Sequence, residues 1–162
     1  MSATGTVTLA PLTPELRDAA LRITVAPHQV RFGGTPAASI PVADREAARE
    51  SVVILRDGTP VGYFQLDTRS VPGAPAGAHI LGLRALVVDH ALQGQGIGRA
   101  AMHALPGYVR ARFPGRTVVM LTVNADNPPA IALYAATGFV DAGVGLYEGG
   151  HAGPQHVLRL DV

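Results

Sequence analysis

The chain has 162 residues, 48% of them hydrophobic and 15% charged, a composition that builds one folded domain around a sizeable core. A net charge of +1 makes no electrostatic case for nucleic acid, and the lack of cysteine excludes disulfides, thiolate metal sites and cysteine nucleophiles. No apolar run approaches the ~18 residues of a membrane span, and Met1-Ser-Ala-Thr-Gly-Thr-Val7 has neither the basic nor the apolar part of a signal peptide, so a cytoplasmic protein without membrane contact is expected.

Residues 6–12 alternate apolar and polar side chains and end at prolines, the pattern of an edge strand. Thr13-Pro14-Glu15 opens a helix, with Thr as N-cap, Pro in the first helical position and an acid in the first turn. Leu16, Ala19, Ala20 and Ile23 give it an apolar face. Residues 26–43 are rich in Pro and Gly and read as a loop or broken helix bearing Gln29, Arg31 and Phe32. Residues 44–49 then read as a short, charged helix. Residues 51–67 form the clearest hairpin, with Asp57-Gly58 as a favoured turn dipeptide between two β-rich runs. Residues 70–77 are rich in Pro, Gly and Ala and read as a mobile connection.

A strand begins near Ala78, carries His79 and Gly82, and continues through the aliphatic Leu83, Leu86, Val87 and Val88 until Asp89 and His90 stop it. Gln93-Gly-Gln-Gly-Ile-Gly98 follows. Alternating glycines are not there for helix propensity, where each costs about 0.8–1 kcal/mol against Ala. They let the backbone approach a ligand closely, and backbone N–H groups at a helix start favour an anion. The next helix covers residues 97–113, with an expected kink or break at Pro106-Gly107. Residues 117–123 are a second buried strand. Asn127 caps a further helix, Pro128 takes its first position, and Gly138 closes it. Residues 140–148 and 155–162 read as two closing strands joined by residues 149–154.

Two segments together carry a resemblance. Gln93-x-x-Gly96-x-Gly98 after a hydrophobic strand, followed by Asn127-x-x-Ala130-x-x-Leu133-Tyr134-x-x-x-Gly138-Phe139, resembles the two motifs of the GCN5-related N-acetyltransferase (GNAT) superfamily. The resemblance covers the second half of the chain. It implies an α/β (α+β) fold, a mixed and strongly twisted sheet of about six to seven strands with helices on both faces. It also implies a splay between the fourth and fifth strands that admits acetyl-CoA. Carried onto this sequence, the amides of Gln93, Gly94, Gln95, Gly96, Ile97 and Gly98 would hold the diphosphate, with Arg99 beside it. The pantetheine arm would lie along Leu86, Val87 and Val88 as a false strand, with the Leu86 N–H polarising the thioester carbonyl. Asn124 and Asn127 would approach the arm, although a plain N-cap role for Asn127 stays open. Tyr134 matches the proton donor to the leaving thiolate, a transfer uphill by about 2 kcal/mol on ordinary pKa values.

The acceptor, a small-molecule or peptide amine, must lose a proton before it attacks. Where such proteins place a glutamate on the strand, this chain has Gly82 or Arg84. His79, Glu148, His151 and His156 remain as candidate bases, and Arg84 would turn a positive charge toward the acceptor. A homodimer is compatible with the resemblance, and no metal-ligand spacing is present. Two rivals stand beside this reading. One is an acyl-CoA sensor that has lost catalysis. The other is a dinucleotide-binding enzyme, since Gly96-x-Gly98-x-x-Ala101 formally meets that fingerprint.

Overall fold

The computed structural model describes residues 5–162; the first four, part of the stretch read above for a leader, lie outside it. The elements run β1 (Val7–Pro11), α1 (Pro14–Leu21), α2 (Val30–Gly33), α3 (Pro36–Asp44), β2 (Arg49–Arg56), β3 (Thr59–Asp67), β4 (Ile80–Val88), α4 (Ile97–Arg112), β5 (Val118–Asn124), α5 (Pro128–Ala136), β6 (Val140–Asp141) and β7 (Gln155–Asp161). They form one sheet in the order β1-β2-β3-β4-β5-β7-β6. Neighbours are antiparallel except β4 and β5. This mixed sheet is not the parallel, doubly wound sheet that a dinucleotide fingerprint requires, and that rival fails on the fold.

The β2–β3 hairpin turns at Asp57 (φ 51°) and Gly58 (φ 83°), the two left-handed residues of a type I′ turn. Alternation then gives the sheet two apolar faces. Val52, Ile54, Phe64 and Leu81 join Ile97, Met102 and Leu105 of α4 and Tyr134 of α5 in the larger core. Val53, Tyr63 and Val87 join Ala20 of α1 and Ile40 of α3 on the other face. Helices thus cover both faces, as expected.

Several local expectations need correction. Residues 44–49 are not a helix: Asp44 ends α3 and Arg49 begins β2. The helix lies earlier because Pro36 takes its first position and the Thr35 hydroxyl accepts the Ala38 amide at 3.2 Å. His79 precedes β4, and only its carbonyl is used, by the amides of Thr117 and Val118. Helix α4 continues through Pro106 without a break. Its inner face, Leu105 and Val109, is fully buried, so tertiary packing offsets the missing amide. The first closing strand shrinks to Val140–Asp141 plus a bridge between Tyr147 and Gln155, because Gly143 and Gly145 adopt positive φ between them.

Two features of β4 place the site. Pairing with β5 covers only Ile80 with Val118, Leu81 with Val119 and Gly82 with Met120. Beyond that β5 stays in register with β7 as far as Asn124, while β4 continues to Val88 without it. On its other side β4 carries a bulge between the pairs Gln65–Arg84 and Tyr63–Val87, where Phe64 faces both Ala85 and Leu86. Ala85 sits at φ 61°, a conformation that costs a non-glycine residue roughly 1–2 kcal/mol.

Candidate active site

The parting of β4 from β5 leaves residues 83–88 without a strand neighbour on one side, next to a cavity of about 510 Å³. Leu86 and Val88 of β4 line one wall, and Thr122, Val123 and Asn124 of β5 line the other. The cavity also reaches the opposite face of the sheet, where Ala85, Val87, Arg84 and the α2 segment with Arg31 and Phe32 line it. Gly33 lets α2 lie close to β4, since a Cβ there would stand 3.3 Å from the Leu86 carbonyl oxygen.

At the other end, Gly94 (φ 80°) and Gly96 (φ 78°) take left-handed backbone that other residues adopt only at a cost. A Cβ on either would meet nothing within 4 Å, so backbone conformation rather than packing explains them. Gly96 is the N-cap of α4, no side chain caps that helix, and its first turn holds no acid. The leading amides therefore lack a side-chain acceptor, and the helix dipole adds positive character. Such a helix start is suited to an anion, and Arg99 in the same turn lines the cavity.

Tyr134 and every residue expected at the cofactor line this cavity except Gln95, whose side-chain oxygen accepts from Arg56 Nη1 at 2.7 Å. Ile97 also packs into the core. Gln93 Nε2 donates to the Val88 carbonyl at 3.1 Å and to Gln29 Oε1 at 2.9 Å, and Gln29 Nε2 returns a bond to Gln93 at 3.2 Å. Sequence reading did not foresee that pair, which ties the Pro/Gly-rich segment to the glycine loop. Asn124 is 5% exposed and committed internally: its Nδ2 donates to the Ala152 carbonyl at 2.7 Å and its Oδ1 accepts the Asp126 amide at 2.8 Å. Asn127 occupies the N-cap position of α5 without a side-chain cap bond, which leaves its amide group available.

Tyr134 is 7% exposed, lies edge-on to Phe139 with ring centres 5.3 Å apart, and lines the cavity. Burial alone raises its pKa well above that of an ordinary phenol, so it rests protonated. Of the four candidate bases only His151 lines the cavity. Among the described residues no carboxylate does so.

A buried polar cluster backs the α1–α3 face. Asp67, 1% exposed, accepts from the Arg69 amide at 2.8 Å and from Arg69 Nε and Nη2 at 3.1 Å each. Arg49 Nε stands 3.3 Å from its Oδ2 and Arg84 Nη2 stands 3.6 Å away. Burial pushes the Asp67 carboxyl up, but the Arg69 bonds and the neighbouring cations outweigh that and hold it below the usual range. Gln65 and Tyr63 continue the cluster, with Gln65 Nε2 donating to the Tyr63 hydroxyl at 2.9 Å and Tyr63 bonded to Ser51 at 2.6 Å.

The fold and the split strand pair define an acyltransferase of the GNAT type, and comparison with known proteins agrees. The profile of the Acetyltransferase (GNAT) family matches residues 14–139. The uncharacterized N-acetyltransferase YbbJ of Bacillus subtilis (strain 168) is 33% identical over 135 residues, 80% of each chain. The N-alpha-acetyltransferase RimI of Mycobacterium tuberculosis is 36% identical over 88 residues, 54% of this chain and 49% of that protein. Among solved structures, the aminoglycoside acetyltransferase AAC(6')-Ib with coenzyme A and kanamycin superimposes with a TM-score of 0.76 at 21% identity, covering 96% of this chain and 94% of that one. The spermidine N-acetyltransferase of Vibrio cholerae with CoA and spermine gives a TM-score of 0.72 at 15% identity, covering 96% and 95%. The chain belongs to the GNAT acetyltransferase family, for which acetyl-CoA is the acyl donor.

Proposed function

We propose that the protein transfers the acetyl group of acetyl-CoA to a primary amine by direct attack, with Tyr134 as the proton donor to the departing thiolate. The chain's own groups fit the donor. An uncapped helix start suits a diphosphate, and the open β4 edge suits a chain of amides. Acetyl-CoA would supply an activated thioester. The amides of residues 94–98, with Arg99, would grip its diphosphate. Leu86 and Val88 would pair with its arm through main-chain groups. The Val88 carbonyl can do so alongside its bond from Gln93, since a carbonyl accepts two. Asn127 offers a free side-chain amide to the arm, while Asn124 contributes by shaping the wall.

The observation that carries this reading is the early end of the β4–β5 ladder, with the Tyr134 phenol on the wall of the gap. Burial makes Tyr134 a weaker acid, but a thiolate in the same water-poor gap is desolvated too and becomes a stronger base, which narrows the difference. The amine's proton costs about 4.6 kcal/mol to remove from a lysine-like group at pH 7. The His151 imidazole, which lines the cavity, would take it. An acyl-CoA sensor without catalysis is the second reading, favoured by the lack of a lining carboxylate.

One experiment separates them. Release of CoA thiol is followed with a panel of amines for the wild type and Tyr134→Phe. Loss of the acid should lower kcat by about 10²–10⁴-fold with little change in KM for acetyl-CoA. An unchanged kcat would remove Tyr134 from the chemistry, and no release with any amine would favour the sensor.

A further inference from the structure

We propose that the acceptor amine carries an anionic group, a carboxylate or a phosphate, received by the Arg84 guanidinium with Arg31 as the second cation of the subsite. The inference rests on the acetyl-transfer reading only for which end of the cavity is the acceptor's. The glycine loop, Arg99 and Tyr134 lie with α4 and α5 on one face of the sheet. Arg84 and Arg31 line the part of the cavity on the α1–α3 face, beyond the gap.

Arg84 is poorly paired for a side chain in a wall. Its Nε is buried with no hydrogen-bond partner, and Asp67 Oδ2, 3.6 Å from Nη2, lies beyond hydrogen-bond reach. That carboxylate is hydrogen-bonded by Arg69, and Arg49 Nε, also without a hydrogen bond, stands closer to it at 3.3 Å. Arg116 shows what a structural arginine does in this molecule: one of its nitrogens serves the carbonyls of Thr68, Gly77 and Ile80. Around Arg84, three arginines (49, 69 and 84) share two acids, Asp67 and Glu46, which leaves a surplus positive charge. Burial and then repulsion from Arg49 push the Arg84 pKa down, with Asp67 pulling it up. A carboxylate or phosphate on the acceptor would bond the accessible Nη end of the guanidinium and offset the surplus charge, while Nε stays turned into the protein. Arg31, stacked 4.2 Å over the Phe32 ring, adds a second cation at the same end. Among the described residues no carboxylate lines the cavity, so a polyamine would meet these charges without a counter-ion.

The test is calorimetric titration of the CoA-saturated protein with three unreactive product mimics: N-acetylglycine, N-acetyl-O-phosphoethanolamine and the uncharged N-acetylglycinamide. At least one anionic mimic should bind roughly tenfold or more tightly than the amide, and the stronger of the two tells carboxylate from phosphate. Arg84→Gln should erase the preference and Arg31→Gln should reduce it. Equal binding of all three, no binding of any, or a preference that survives Arg84→Gln would overturn the proposal. Should Arg84→Gln fail to fold, the wild-type comparison alone decides. Discrimination among the mimics without thiol release from any amine would uphold the subsite and remove the catalytic reading.

Discussion

A Cβ on Gly82 would lie 2.4 Å from the Ser70 carbonyl carbon and 2.8 Å from its Cα, so the backbone of the β3–β4 connection occupies the space a side chain would need. Ser70 is held there at φ 71°, with its hydroxyl donating to the Pro75 carbonyl at 2.7 Å. This explains in steric terms why the strand carries no glutamate at 82. Gly82→Ala should cost about 2 kcal/mol, read from urea unfolding, because backbone rather than a flexible side-chain end must move. Gly82→Glu should be destabilised further and gain no turnover. A Gly82→Ala variant as stable as the wild type would contradict this packing.

Strands β2, β3 and β4 meet at Asp67, which gathers Arg49, Arg69 and Arg84 from three different segments. Its carboxyl is held below the usual range in the fold. The stabilisation it brings is therefore complete above the ordinary carboxylate pKa near 3.9 and is lost as pH falls through the lowered folded value. Asp67→Asn removes the acid shared by three partly exposed arginines and should cost about 2 kcal/mol at pH 7. The gap between wild type and variant should close as pH drops below ~4. A gap that stays constant in unfolding curves from pH 7 to pH 2.5 would show that the ion cluster carries no such stability.

Legibility from sequence also varied by element, for physical reasons. The β2–β3 hairpin was readable because Asp57-Gly58 is one of few dipeptides suited to two left-handed residues in succession. Helix α3 was not, because Pro36 and Pro41 argue against helix, although Pro36 sits at the start where its missing amide costs nothing. At Pro106 the sequence suggests a kink or a break, and helix α4 runs on unbroken. Local propensity sees the lost hydrogen bond but not the burial of Leu105 and Val109, nor the Tyr108 hydroxyl and Arg112 guanidinium donating to Glu50 at 2.6 and 2.7 Å.

At the scale of the molecule, the sheet and its two helical layers follow from alternation and aliphatic runs, and the glycine loop is visible as spacing. Gln29, Arg31 and Phe32 stand out in the Pro/Gly-rich segment of the first third of the chain, but nothing local places them at the cavity. Gln29 meets Gln93 across 64 residues of sequence, and no local pattern encodes such a contact. The bulge at Ala85 was equally hidden, because a single alanine at φ 61° has no compositional signature. It nonetheless changes which face each later residue of β4 addresses, so that Leu86 and Val88 turn to the α4–α5 side while Arg84 turns to the other.

The gap between β4 and β5 is the feature on which the proposed donor site, the proposed role of Tyr134 and the proposed anionic subsite all depend. Amide hydrogen exchange with and without CoA tests it most directly. Occupation of the gap should slow exchange in two separate stretches, residues 83–88 and 94–99, while the fully paired β5–β7 ladder changes little. Unchanged exchange in both stretches at saturating CoA, or protection elsewhere, would contradict the account.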